Sequence, residues 1–356
     1  MTASTNKPSI DAKFSSKRRR VSIDDDQLPV AKRGSPVVVH QSKDQARNNV
    51  RFLVLSDTHD LDLKDDPKAA FRLPAPEADV VLHCGDLTQH GDCSSIVAAM
   101  EVLGKIPAEL KLVIAGNHEI SLDRKYYLSQ GGTEESHEYS LAAITGPVAK
   151  QNGVTFLQEC TQKFTLRNGA SFTVFASPYT PQFGESAFQY PTGEDRFNPP
   201  EITPKWAKNV STPSSTIPPG VDIVMTHGPP KYILDQNDDG QSSGCEHLRN
   251  AIIRAEPRLH CFGHIHAGYG AQRIRFDKDE EGGVFSYPKE FVGKNQARRK
   301  GYSSLSPSTT EALKESGKEQ CLMVNAAIEC RDGEPVNSPW LVELELGRSD
   351  DGVGGL

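Results

Sequence analysis

An α/β fold is what the sequence predicts, and three observations predict it. Short apolar runs at Arg51–Leu55, Val80–Cys84 and Leu110–Ala115 have the length and β-branched content of buried strands. Each run breaks into a polar turn, Asp57-Thr58-His59-Asp60, Gly85-Asp86 and Gly116-Asn117-His118-Glu119. Between the second and third, Ile96, Val97, Met100 and Leu103 recur at helical spacing, which makes the segment a crossover helix and its flanking strands parallel. Open α/β sheets carry their chemistry outside the carboxyl ends of such strands, so Asp57, His59, Asp86, Asn117 and His118 are expected at one edge of one sheet.

The chain opens with a stretch that lacks such runs. Residues 1–48 are rich in Ser, Lys, Asp and Gln and hold ten Lys/Arg against five Asp, a balance of +5 that leaves −12 for the rest of the −7 chain. Too few apolar residues are present to offset the entropy of ordering, so this reads as a disordered basic tail. Lys17-Arg18-Arg19-Arg20 and Lys32-Arg33 are spaced like a bipartite nuclear import signal with Ser22 beside the first cluster, and import factors are the partners this suggests; a plain solvated tail is the alternative. The acidic remainder, 49–348, does not read as a nucleic-acid surface. No run of about 18 apolar residues and no apolar signal core occurs, so neither membrane insertion nor secretion is expected and the protein is placed in the cytoplasm or the nucleus. Seven cysteines (Cys84, Cys93, Cys160, Cys245, Cys261, Cys321, Cys330) form no Cys-x-x-Cys pair and are read as reduced thiols.

Past the third strand, residues 122–145 read as helical with a break at Gly131-Gly132, and Val154–Leu157 and Phe164–Ala176 as antiparallel strands around Asn168-Gly169. The Pro-, Ser- and aromatic-rich stretch 178–219 reads as a long loop. Val221–Met225 is a buried strand that ends at Thr226-His227, Glu246–Arg254 is a helix stopped before Pro257, and Leu259–Phe262 leads into Gly263-His264-Ile265-His266. Residues 277–319, charged and Ser-rich, are expected to be a flexible inserted loop. Cys321–Ile328 and Trp340–Leu346 close the fold as strands, and 349–356 is a loose tail.

The strand-end residues total two aspartates, one asparagine and four imidazoles beyond His118. That is a mixed oxygen and nitrogen donor set suited to Mn, Fe or Zn and too large for one ion; with one carboxylate shared it fits two.

Asp-x-His, Gly-Asp, Gly-Asn-His-Glu, Thr-His and Gly-His-x-His, in this order, resemble the calcineurin-like metallophosphoesterase superfamily. Ser177-Pro178-Tyr179-Thr180-Pro181, Thr226-His-Gly-Pro-Pro230 and Gly263-His-Ile-His-Ala-Gly-Tyr-Gly270 are similar to its branch of metallophosphoesterase-domain-containing proteins. The likeness covers about residues 50–346 and implies a β-sandwich of two mixed sheets flanked by helices, four layers in all. It implies that Asp57, His59 and His266 hold one divalent metal and Asn117, His227 and His264 a second, with Asp86 bridging, Mn being the first choice. A water or hydroxide between the ions would attack phosphorus in line, with no phosphoenzyme, and His118 would stabilise charge or protonate the leaving oxygen, as imidazole is suited to do. The implied activity is phosphoester hydrolysis, first as a phosphodiesterase on small or cyclic nucleotides; the alternatives are a phosphomonoesterase or phosphoprotein phosphatase, and a metal-holding non-catalytic scaffold.

His83, His90, His137, His247 and His260 carry no ligand role in this pattern. His83 and His260 lie within strands as buried, satisfied rings, and His90 sits toward the site entrance. Asp60 and Asp92 either orient ligand imidazoles or are turn residues. Tyr179, Phe183, Phe188 and Tyr190 either line a substrate pocket or pack their loop onto the sheet. Arg298-Arg299-Lys300 is read as a solvated loop cluster.

Overall fold

A computed structural model describes residues 48–277, 283–317, 319–330 and 332–348. The basic tail with its import-like clusters and the C-terminal tail from 349 lie outside the described residues. Along the chain come β1 (Asn48–Leu55), β2 (Val80–His83), α1 (Cys93–Gly104), β3 (Leu110–Val113), α2 (Arg124–Ser129), α3 (Glu134–Thr145), α4 (Pro147–Gln151) and β4 (Val154–Phe156). They are followed by β5 (Cys160–Thr165), β6 (Ser171–Ser177), β7 (Ile223–Thr226), α5 (Glu246–Ala255), β8 (Leu259–Phe262), β9 (Gly270–Phe276) and β10 (Val284–Lys289). Last are α6 (Lys294–Lys300), β11 (Ser303–Ser304), α7 (Pro307–Glu315), β12 (Gln320–Asn325) and β13 (Trp340–Leu346).

The strands form two mixed sheets. The first runs β11-β13-β1-β2-β3-β4, with β1 to β4 parallel and β13 antiparallel to β1. The second runs β10-β9-β12-β8-β7-β6-β5, with β6, β7, β8 and β12 parallel and antiparallel edges on both sides. Side-chain alternation explains the layering. Phe52 and Val54 of β1 and Leu82 of β2 point into a core shared with Phe172, Val174, Ile223, Met225 and Val324 of the second sheet. Leu53, Leu55, Val81 and Val113 point the other way, onto Ile96, Met100 and Leu103 of α1 and Ile144 of α3. On the far side, Phe175, Val224 and Met323 bury against Leu248 and Ile252 of α5. Helices therefore cover both outer faces, giving the four layers. Phe52 and Phe172 meet edge to face at 5.5 Å across the middle of the sandwich.

At the carboxyl ends of the parallel strands the two sheets are stitched together. Ser56 N donates to Ala326 O (3.0 Å), Ile328 N to Ser56 O (2.9 Å) and Ala326 N to Phe262 O (2.8 Å). The turns after β1, β2 and β3 consequently face those after β7, β8 and β12.

Two expectations need correction. Val154–Phe156 does not belong to the hairpin; it pairs parallel with β3 at the edge of the first sheet, and the hairpin is β5 with β6. The 277–319 segment is not a structureless loop, since its described residues include β10, α6, β11 and α7. β10 is an edge strand with one neighbour, so its sequence lacks the apolar run of a central strand. α7 is set by Ser306, whose hydroxyl accepts from Thr309 N, with Pro307 in the first turn. Arg298 and Arg299 lie on α6, where their carbonyls accept from Arg72, at 2.5 and 2.7 Å. No helix among the described residues is long and apolar enough to cross a membrane.

Candidate metal centre

Five residues after β1, β2 and β8 adopt positive φ: Asp57 (51°), His59 (42°), Asp60 (63°), Asp86 (52°) and His264 (66°). Such conformations cost side-chain-bearing residues about 1 kcal/mol or more each and gather at functional sites. Backbone bonds hold them: Asp57 N donates to Gly85 O (2.9 Å), and Thr58 N and His59 N to Asp86 O (2.9 and 3.2 Å). Glycine is required where backbone and carboxylate meet. A Cβ on Gly263 would lie 1.9 Å from Asp57 Oδ2, and one on Gly116 would lie 2.2 Å from Asp86 Oδ1.

The structure brings all the strand-end residues together. Ligand-type atoms of Asp57, His59 and His266 lie within 4.8 Å of one another, as do those of Asp86, His227 and His264, and those of His59, Asp86 and His118. Asp86 Oδ2 stands between the first two groups, 3.2 Å from His227 Nε2 and 3.9 Å from His59 Nε2. Asn117 Oδ1 is 2.9 Å from His227 Nε2. Asp57 Oδ1 is 3.3 Å from His266 Nε2, and both Asp57 oxygens accept from His264 N at 3.1 and 3.0 Å. Asp86, Asn117, His118, His264 and His266 line a cavity of about 330 Å³.

The charge pattern is that of carboxylates held ionised among imidazoles. Burial works against ionised Asp57, yet the facing His266 holds it down to about 2. Burial likewise opposes ionised Asp86, and His227, with His118 and His59, overrides it and keeps the group well below the carboxylate range. Burial disfavours the charged rings of His227 and His266 too, but Asp86 on the one and Asp57 on the other lift each to about 9. For His264, loss of hydration together with the charge of His227 outweighs the pull of Asp86 and Asp57 and pushes it to about 4, which leaves a neutral ring.

These residues fit divalent cations. Nδ1 of His59, His118 and His227 each faces a backbone carbonyl, of Thr88 (3.3 Å), Gln89 (2.8 Å) and Cys84 (2.9 Å). A carbonyl only accepts, so Nδ1 carries the proton in all three; in His59 and His227 that leaves Nε2 as the atom able to ligate, the outer-shell pattern of metal-binding imidazoles. His59 Nε2 is buried and makes no hydrogen bond, although Glu329 Oε2 lies 3.2 Å away.

Two further buried carboxylates, Glu119 and Glu329, border the cluster. Glu119 is fully buried and accepts from Asp86 N (3.0 Å), Gly116 N (2.7 Å), Thr88 N (2.9 Å) and Thr88 Oγ1 (3.0 Å), so it clamps the turn of Asp86 to that of Asn117. Burial and the charge of Asp86 raise it to about 7 against the pull of the Gly116 and Thr88 amides. Glu329, beside His59, follows the apolar run Ala326-Ala327-Ile328 and so carried the same signal as the other strand ends.

Other expectations resolve by contact. His83 and His260 are buried, with Nε2 on Thr58 Oγ1 (2.9 Å) and Thr226 Oγ1 (2.8 Å). Asp92 caps α1 by accepting from Ser95 N (3.0 Å), and Asp60 accepts from Gln89 N (3.1 Å). Phe188 and Tyr190 are core residues and Tyr179 lies under Arg196 at 3.7 Å, whereas Phe183 is exposed.

The calcineurin-like phosphoesterase family profile matches residues 50–268, which include every residue of the cluster from Asp57 to His266. Metallophosphoesterase domain-containing protein 1 of Homo sapiens is 34% identical over 226 residues, 62% of this chain and 61% of that protein. A protein of Emericella nidulans described as probable rhamnogalacturonate lyase C is 33% identical over 232 residues, 65% of this chain and 18% of that protein. The chain thus spans less than two thirds of the length of either relative. Among solved structures, phosphopantetheinyl hydrolase from Mycobacterium tuberculosis aligns with a TM-score of 0.35 at 15% identity, over 66% of this chain and 87% of that one. The chain belongs to the calcineurin-like phosphoesterase family.

Proposed function

We propose that this chain is a hydrolase of phosphodiesters, small or cyclic nucleotides first among them, working with two divalent ions, manganese by preference. The observation that carries the reading is the place of Asp86 Oδ2 between His59 Nε2 and His227 Nε2, which joins two ligand clusters through one carboxylate. Asp57, His59 and His266 would hold one ion and Asn117, His227 and His264 the other, with Asp86 common to both. When bound, such a pair supplies Lewis acidity toward phosphoryl oxygens and acidifies water.

The protein's own groups do the rest. Glu119 fixes the spacing between the Asp86 and Asn117 turns through four hydrogen bonds. His118 N donates to Asp86 Oδ1 (2.9 Å), which sets that carboxylate's rotation. Because His118 Nδ1–H is spent on the Gln89 carbonyl, Nε2 is the atom that carries a proton to the leaving oxygen. Burial of Asp57 and Asp86 keeps water from competing for their oxygens.

The test is a substrate panel of bis(p-nitrophenyl) phosphate, p-nitrophenyl phosphate, a phosphopeptide and cyclic nucleotides, each with chelator and with added manganese. Metal-dependent turnover that favours the diesters supports the reading. Preference for monoesters moves the assignment to a phosphatase, and two bound ions with no turnover of any ester moves it to a binding protein.

A further inference from the structure

Beside the metal centre, the loops around 178–210 and 228–246 enclose a second cavity, of about 410 Å³. Asn237, His264 and Ile265 line both volumes, so the two share a wall and the organic part of an ester held by its phosphate at the metal centre is within reach of this opening. The new cavity is walled by Pro181, Phe183, Trp206 and Pro229. Phe183 is 87% exposed and Trp206 62%. Large aromatic faces left in water at the rim of a pocket are the mark of a surface completed by a partner.

The aromatic wall is preset. The Trp206 ring rests on that of His247 at 5.0 Å and 32°, and His247 is buried with Nδ1 3.5 Å from Asp195 Oδ2. Asp195 in turn accepts from Phe197 N (3.2 Å), Asn198 N (3.2 Å) and Thr203 Oγ1 (3.0 Å), and Asn198 Nδ2 donates to His247 O (2.9 Å). The network holds the His247 backbone, and burial beside Asp195 holds its ring, so the plate on which the indole lies is set before a ligand arrives. Lys231, in the same wall, is matched by Glu246 at 3.5 Å, so its charge is answered within the wall. The recognition chemistry on offer is a flat apolar face.

We propose that this cavity is the subsite for the organic group of the phosphoester and that it selects a flat aromatic or heteroaromatic ring, with Trp206 and Phe183 as its contacts. The inference rests on the phosphoester reading above and adds the class of group that the ester carries.

Direct binding tests it. Affinities of wild type and variants alike are read by isothermal titration calorimetry; in the wild type, quenching of fluorescence also reports Trp206, since Trp340, the other tryptophan, is fully buried. Manganese-loaded protein is titrated with 1-naphthylphosphonate and, by competition, with methylphosphonate, both resistant to hydrolysis. The ring compound is expected to bind about tenfold more tightly. Trp206→Ala and Phe183→Ala, both at exposed positions, should each bring the two affinities to within about twofold, and Trp206→Phe should keep most of the preference. Equal affinities in the wild type, or a preference that survives both alanine variants, overturns the proposal. Ring preference without turnover of any ester would sink the hydrolase reading and leave the subsite standing. Turnover without ring preference would do the reverse.

Discussion

Gly263→Ala puts the geometry of the metal centre under the most direct strain. The added Cβ would sit 1.9 Å from Asp57 Oδ2, 2.3 Å from Ser56 Oγ and 2.6 Å from Ser56 Cβ. Reaching ordinary contact requires a displacement of roughly 1 to 1.5 Å. Asp57 has no slack to yield it, because its oxygens accept from His264 N and its own N–H donates to Gly85 O. Overpacking costs about 1–3 kcal/mol and loss of a hydrogen bond to a charged group about 1.5–3 kcal/mol, so about 3–5 kcal/mol is expected. For a domain of this size that is a fall in Tm of roughly 5–8 °C. The same movement takes a ligand away from His59 and His266 while leaving Asp86, His227 and His264 in place, so the variant should lose one ion more readily than the other. Calorimetry with metal analysis reads both quantities. A variant with wild-type Tm and two ions per chain would refute the argument that Gly263 is needed for the close approach of Asp57.

Other perturbations separate holding the ions from using them. Asp86→Asn, at the shared carboxylate, is expected to cut activity at least about a hundredfold with the far-ultraviolet circular dichroism unchanged; an unimpaired variant would remove Asp86 from the bridging role. His118→Asn should lower kcat by about 10²–10⁴-fold while metal content stays at the wild-type value, and equal loss of metal would make it a ligand instead. For the metal-free protein, His227 and His266 are raised to about 9 from 6.5, so their contribution is full below pH 6.5 and fades as the pH climbs through 9. Asp57, lowered to about 2, contributes above pH 3.8 and ceases to as the pH falls through 2. Tm of metal-free protein should therefore decline between pH 6.5 and 9, and metal uptake near pH 7.5 should release protons, seen by calorimetry in buffers of different ionisation enthalpy. Uptake without proton release would contradict the assigned charge state.

The clustering of the strand-end residues is legible in the sequence, and the edges of the fold are less so, for a physical reason. Asp57, Asp86, Asn117, His227 and His264 each follow a central parallel strand, whose two buried faces write an uninterrupted apolar run, so the end of the run marks the site. Glu329 follows such a run as well, directly after Cys321–Ile328, although it belongs to none of the motifs that carry the family resemblance. Glu119 is illegible in another sense: three of its four donors come from the Asp86–Thr88 turn more than thirty residues away, and nothing in local spacing encodes that. Val154–Phe156 has three residues and a partner more than forty positions away, so its sheet is decided by packing. β10 and α7 carry the polar composition of edge and surface elements, which reads as loop until Ser306-Pro307 is taken as a helix start. Trp206 and His247 lie 41 residues apart in loop and helix, and only the folded chain brings their rings together.

The central claim is a two-ion centre joined through Asp86. The measurement that tests it is the metal content per chain of purified protein reconstituted with manganese, for the wild type and Asp86→Asn side by side. Two ions per wild-type chain, with one or none in the variant, is the predicted result. A wild-type chain that holds no more than one ion, or a variant that still holds two, would contradict it.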